Sequence, residues 1–273
     1  MITTKFSLKR TILGIICIGI IALGSLIIYI VRDRSFDPPA DIAQHNTPYD
    51  WHASVKIGII GDSWVFGQTL DQAVLDSLSA LGMVVEVVSS GHPGAKSRQI
   101  YRNLLLNEPE KYSSHRLIMD ENLDYLVVIA GVNDATVHMG KNYYAHHMLS
   151  IIRTIQLRGI HPVIEELPEF GIEDLPYFGF RRFIKHVIYR NIFDDGKYDV
   201  ISDYRDALRS QIPPSIQENL TLIAFDPFIK DYKKQKHLYA NAMHLNRDGL
   251  QQFGNYLAGE ILKMHNKRIE FVE

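Results

Sequence analysis

Ile57-Gly58-Ile59-Ile60-Gly61-Asp62-Ser63-Trp64 decides how this chain is read. An apolar run of strand length ends in a turn of small and polar residues with a hydroxyl at its tip, the pattern of a first strand in a buried parallel sheet. In open α/β sheets the working site lies outside the carboxyl ends of the strands. Ser63 falls at such an end. Taken alone, the stretch fits a serine that merely caps the following helix equally well. The remaining strand ends decide between the two.

Working outward, Val55 to Ile60 is the predicted first strand. A helix is expected from Thr69, where Thr69-x-x-Gln72 fits a capping box and Gly82 a C-terminal stop. The β-branched run Val84 to Val88 reads as a second strand, followed by a helix from Lys96 to Leu106. Tyr125 to Ala130 reads as a third strand, followed by a helix from Tyr143 to Leu157 that Gly159 stops. Pro162 to Glu165 and Leu222 to Phe225 read as the fourth and fifth strands, and Asp248 to His265 as the closing helix. Strands alternating with helices argue for a parallel sheet covered on both faces. Between the fourth and fifth strands, an insertion of about residues 167–220 is too long for a simple crossover. It carries a basic-aromatic helix candidate, Arg181 to Arg190, and a second helical stretch near Tyr204 to Ser210. The basic helix reads as an ordinary crossover with a solvated face, and part of the insertion is expected to border the site.

The 273 residues are 46% hydrophobic and 22% charged with a formal net charge of -2, an ordinary globular composition that argues against a nucleic-acid surface. The single cysteine, Cys17, excludes a disulfide within the chain and a multi-cysteine metal site. At the N-terminus, Lys5, Lys9 and Arg10 precede an almost uninterrupted apolar run, Thr11 to Val31, of the ~20 residues that a membrane-crossing helix needs. The basic cluster favours a cytoplasmic segment 1–10, a transmembrane anchor 11–31, and a body exported beyond the membrane, periplasmic or on the cell surface if the cell is bacterial. A cleaved signal peptide competes, because Ala22-Leu23-Gly24 has small residues at suitable spacing, but Leu26 to Val31 keep the run apolar beyond that point. Ile16 before Cys17 is too bulky for a lipoprotein signal. Residues 32–54, with Pro38-Pro39 and Thr47-Pro48, read as a linker, leaving 55–273 as the folded domain.

Three further stretches fall at strand ends: Ser89-Ser90-Gly91-His92-Pro93-Gly94 after the second, Gly131-Val132-Asn133-Asp134 after the third, and Asn241-Ala242-Met243-His244-Leu245-Asn246-Arg247-Asp248-Gly249 before the last helix. Together with Gly61-Asp62-Ser63, these four blocks resemble the SGNH (GDSL-type) hydrolase family in order and context over about residues 55–265. The resemblance implies a three-layer flavodoxin-like α/β fold with a central parallel sheet, here behind an N-terminal transmembrane helix. It also implies serine-based acyl-ester chemistry; with no His-Glu-x-x-His pattern in the sequence, no metal is expected, and no cofactor is called for. Ser63 matches the nucleophile and His244 the base, while the Ser63 and Gly94 backbone N–H groups and the Asn133 side-chain amide match the oxyanion donors. Acyl transfer needs these parts: an oxygen nucleophile, a base of near-neutral pKa, and donors preorganised around the developing oxyanion. Asp134 and Asp62 read as structural, the latter fixing the turn. His92, His146 and His147 have no assigned role.

The sequence departs from the family at Asn241, where an aspartate usually stands three positions before the histidine. An amide oxygen can still accept from the imidazole N–H and set its tautomer, but it supports the imidazolium less. Three outcomes follow: a Ser-His dyad oriented by Asn241 or a backbone carbonyl, a carboxylate from elsewhere such as Asp226 or Asp248, or a protein that no longer turns over. Two other motifs fail on residues: Ala95 stands where a phosphate-binding Gly-Lys-Ser needs glycine, and Val65 stands at the second glycine of Gly-x-Ser-x-Gly. The expected function is that of a membrane-anchored esterase acting on acyl, particularly acetyl, esters, with an acylated glycan as a substrate class that location and family suggest. An O-acyltransferase with the same acyl-enzyme and a non-catalytic glycan-binding or scaffold module are the rivals. Oligomeric state is not readable.

Overall fold

The computed structural model describes residues 3–44, 54–67, 69–106, 112–119, 121–175, 200–225, 227–229 and 231–270, with 183, 187, 188 and 191. The chain divides into two compact units, 1–37 and 38–273.

The first unit is built on one helix, α1 (Thr3–Asp33). Its stretch Leu8–Tyr29, 22 residues of mean hydropathy 2.7, is long and apolar enough to cross a membrane by length and composition. The helix begins well before Thr11, because flanking polar residues such as Lys9 and Arg10 are good helix formers in their own right.

The second unit is built on five parallel strands, β1 (Val55–Gly61), β2 (Val85–Gly91), β3 (Tyr125–Ile129), β4 (His161–Glu165) and β5 (Thr221–Ile223), in the order β2-β1-β3-β4-β5. This is the flavodoxin-like order, with its switch point between β1 and β3. The described helices of this unit are α2 (Thr69–Ala80), α3 (Ser97–Leu105), α4 (His115–Met119), α5 (Val132–Thr136), α6 (Lys141–Leu157), α7 (Ile201–Gln211), α8 (Pro214–Gln217) and α9 (Arg247–Glu270). Helix α9 packs on α2, while α6 packs on α3 and α7. Right-handed crossovers place these groups on opposite faces of the sheet, giving three layers. The strands are apolar almost throughout because both faces are covered: Ile57, Ile59, Val127, Val128, Val163 and Ile164 are all buried.

Several boundaries differ from expectation. Strand β2 runs on through Ser89-Ser90-Gly91 because a parallel ladder is made by main-chain groups, and Gly91 pairs with Gly61 at its end. A side chain at 91 would collide with the Phe66 backbone, so the close approach of these two turns requires glycine. The last strand ends at Ile223, and Phe225 instead turns the chain, its carbonyl accepting from the N–H groups of Phe228 and Ile229. The capping box is not formed as predicted: the Gln72 side chain donates to Asp76, not back toward Thr69. Helix α9 extends to Glu270, and its start is capped by Asn246, whose Oδ1 accepts the Gly249 N–H at 2.9 Å. In the insertion, the stretch near Tyr204 to Ser210 is α7. Most of Arg181 to Arg190 lies outside the described residues.

Candidate active site

The site is assembled at the carboxyl edge of the sheet. Ser63 follows β1 in a turn held by Asp62, whose carbonyl accepts from Val65 and Phe66 N–H and whose Oδ1 accepts the Trp64 N–H at 3.0 Å. His244 stands in the loop before α9, between Leu238 and Asn246, a loop closed by the pairing of Tyr239 with Leu245. The two meet across 181 residues of sequence: Ser63 Oγ lies 2.9 Å from His244 Nε2.

The other ring nitrogen answers the question posed by Asn241. Asn241 Oδ1 lies 3.1 Å from His244 Nδ1, and it also accepts the main-chain N–H groups of Met243 at 2.9 Å and His244 at 3.0 Å. An amide oxygen in this position accepts, so Nδ1 carries the proton and Nε2 is left as the acceptor facing the serine hydroxyl. Partial burial holds the His244 pKa below the ordinary imidazole value, and no anionic partner among the described residues offsets it. Asp248 is exposed on the first turn of α9 and makes no hydrogen bond to His244. Asp226, the other carboxylate considered from sequence, lies outside the described residues.

Two of the three expected oxyanion donors are open. Neither the Ser63 nor the Gly94 N–H meets an acceptor among the described residues. Gly94 has φ +76°, and a Cβ there would meet nothing within 4 Å; glycine is needed at 94 for the left-handed backbone, not for packing. Asn133 is different. Its Nδ2 donates to the Ala95 carbonyl at 3.0 Å and to Asp62 Oδ2 at 3.2 Å, so both N–H bonds are engaged. The structure brings Asn133 to the edge between Asp62 and the Gly94 turn but does not leave its amide free.

Behind Ser63 lie two buried carboxylates. Burial pushes the Asp62 pKa up to about 7, opposed by the Trp64 N–H and reinforced by the charge of Asp134. Burial likewise pushes Asp134 up to about 6, against two hydrogen bonds from Ser97: hydroxyl to Oδ1 at 2.7 Å and N–H to Oδ2 at 2.8 Å. Asp134 thereby caps the start of α3 and ties it to α5, a structural role as expected from sequence.

Among the unassigned histidines, His92 stacks on Tyr112 at 4.2 Å and meets Asn103 through Nδ1. His147 is buried within α6, its Nδ1–H given to the Tyr143 carbonyl, with His146 beside it. Among the described residues, no three His, Cys, Asp or Glu side chains gather as metal ligands. Sequence reasoning missed Trp64, whose indole N–H donates to the Met243 carbonyl at 3.0 Å. Its position directly after the serine was the available signal.

No family model and no curated protein matches this chain. Solved structures do. A lipase/acylhydrolase from Enterococcus faecalis superposes with TM-score 0.53 at 18% identity, covering 76% of this chain and 95% of that one. A GDSL-like lipase from Bacteroides thetaiotaomicron gives 0.51 at 14% identity, with 79% and 89% covered. The psychrotrophic esterase EstA from Pseudoalteromonas sp., in a structure inhibited by monoethylphosphonate, gives 0.52 at 14% identity, with 77% and 98% covered. What is shared at these identities is the architecture, and it agrees with the strand order and the strand-end blocks above: the chain has the fold of the SGNH (GDSL-type) hydrolases.

Proposed function

We propose that this protein is a serine esterase of SGNH type, anchored by α1 with its catalytic domain outside the cytoplasm, and that it hydrolyses acyl esters through an acyl-serine intermediate. The observation that carries this reading is the relay Ser63 Oγ to His244 Nε2 at 2.9 Å, with Nδ1 held by Asn241 at 3.1 Å. His244 takes the Ser63 proton as Oγ bonds to the ester carbonyl carbon, and the carbonyl oxygen becomes an oxyanion between the Ser63 and Gly94 N–H groups. Asn133 joins them when one of its engaged N–H bonds turns to the oxyanion. The imidazolium then returns its proton to the departing alcohol. In the second half, His244 deprotonates water, which attacks the acyl-serine and releases the acid and the free hydroxyl. Asn241 acts by fixing the tautomer, so the relay works as an oriented dyad.

A small acyl group such as acetyl, carried on a glycan of the envelope or outside it, is the substrate class that an extracytoplasmic tether suits. A sugar hydroxyl in place of water would make the same acyl-enzyme an O-acyltransferase. The reading from another class, a glycan-binding or scaffold module, draws on the uncharged Asn241 and the engaged Asn133. Phosphonylation separates these. The detergent-solubilised full chain is expected to be labelled by a fluorophosphonate at Ser63, and Ser63→Ala to lose both the label and aryl acetate hydrolysis. Equal hydrolysis by wild type and Ser63→Ala, with no label, sinks the enzyme reading. Free acetate against acetylated acceptor among the products distinguishes hydrolase from transferase.

A further inference from the structure

The nucleophile and the base come from opposite ends of the domain, and their relay works only if two independent turns keep a fixed separation. Besides the Ser63 to His244 bond itself, one hydrogen bond joins the Ser63 turn to the His244 loop among the described residues: Trp64 Nε1–H to the Met243 carbonyl, at 3.0 Å. It links the residue after the nucleophile to the residue before the base. The loop's other ties lead elsewhere, Gly171 N–H to the Ala242 carbonyl at 2.7 Å and the Tyr239 hydroxyl to the Glu169 carbonyl, or close the loop on itself, Ala240 N–H to the His244 carbonyl at 2.8 Å. We propose that Trp64 is a positioning residue, whose indole N–H clamps the His244 loop to the Ser63 turn and so sets the distance from nucleophile to base. This rests on the Ser63–His244 reading above.

The geometry around Trp64 suits a clamp. The side chain is 3% exposed, and its ring stands edge-on to Phe225 at 5.9 Å and to Phe253 at 5.8 Å, so α9 and the turn after β5 hold the plane of the indole. Its main-chain N–H is fixed by Asp62 Oδ1. With the ring and backbone both held, the donor has one direction in which to point. Leucine or phenylalanine would serve a core position as well; what tryptophan adds is a single directed donor on a rigid apolar body. A buried N–H must be satisfied, so the Met243 carbonyl cannot drift without cost.

The test uses the full chain in detergent and compares Trp64→Phe with wild type. Misplacement of a reacting group by about 1 Å costs up to ~100-fold in rate, so kcat on phenyl acetate is expected to fall about 10- to 100-fold, with KM changed less than about twofold because the Trp64 side chain is buried away from the surface that substrate reaches. The His244 imidazole, followed by NMR, is expected to titrate closer to the ordinary value as its loop loosens and water enters. A folded Trp64→Phe with kcat within twofold of wild type overturns the proposal. So does a loss of kcat with unaltered His244 titration, since a merely structural role would leave the imidazole unmoved. If Trp64→Phe does not fold, 3-benzothienylalanine at 64, in a Trp51→Phe background, keeps the ring shape and replaces the N–H with sulfur. The same two readouts then decide. Should wild type itself show no Ser63-dependent hydrolysis, the esterase reading fails, and the imidazole titration alone decides the clamp.

Discussion

Asn241 does with one amide oxygen what a carboxylate does with charge as well: it collects three N–H groups, two from the main chain and one from the His244 ring. Orientation is therefore kept and electrostatic support is not. In the proposed mechanism hydrolysis needs the neutral imidazole, so kcat/KM should rise with pH through the His244 pKa, and burial places that inflection below the usual histidine value. Asn241→Asp keeps every acceptor and adds a negative charge beside the imidazolium, which moves the inflection to higher pH. At pH 8, where both forms are neutral, the variant is expected to be faster by about 10-fold, a partial mirror of the ~10⁴ loss when the triad aspartate of a serine protease becomes asparagine. A pH series of kcat/KM checks both statements, and a slower Asn241→Asp enzyme at pH 8 contradicts them. The identity of Asn241 was legible in the sequence because it departs from a motif. Its threefold acceptance was not, since two of the three N–H groups belong to a turn whose shape no spacing rule specifies.

At the scale of elements, the same limit recurs. The apolar strands β1, β3 and β4 were legible because burial on both faces leaves a continuous hydrophobic run. The polar end of β2, Ser89-Ser90-Gly91, was not, because the ladder that holds it is blind to side chains. Helix starts were legible where a local pattern sufficed. The Asn246 cap of α9 and the tie between Asp134 and Ser97 across α5 and α3 depend on tertiary approach. Strand β4 ends in a further feature that composition hides: Glu165 is 1% exposed, and neither carboxylate oxygen has a hydrogen-bond partner among the described residues. Burial, with the nearby charge of Glu166 adding to it, pushes its pKa well above the usual carboxylate range. The native state then binds a proton that the unfolded chain has released, so stability falls as pH rises from the unfolded pKa toward the folded one. Glu165→Gln resembles the protonated form and loses no bond. Its Tm advantage over wild type should be small near pH 4 and grow toward pH 8. An advantage that does not change with pH would show Glu165 to be ionised in the fold or solvated in it.

For the whole molecule, the sequence separated an apolar N-terminal helix from a domain with four strand-end blocks, but it could not state distances between them. The approach of Ser63 to His244 brings together the end of β1 and the start of α9, far apart in sequence and side by side in the fold, where the Trp64 ring meets Phe253. The proposed anchor predicts a simple partition. The full chain should remain in the membrane pellet after alkaline carbonate and dissolve in detergent, while a chain starting at Pro38 should not pellet, and protease added to spheroplasts should degrade the domain. Release of the full chain by carbonate would contradict the anchor. The 181-residue span between Ser63 and His244 also has a meaning in time. At translation rates of 5–20 residues per second, His244 is made roughly 9–36 s after Ser63. On the proposed reading, a half-made chain carries a serine hydroxyl with no base beside it, so reactivity waits until the last part of the chain has been made and has folded back onto the first strand.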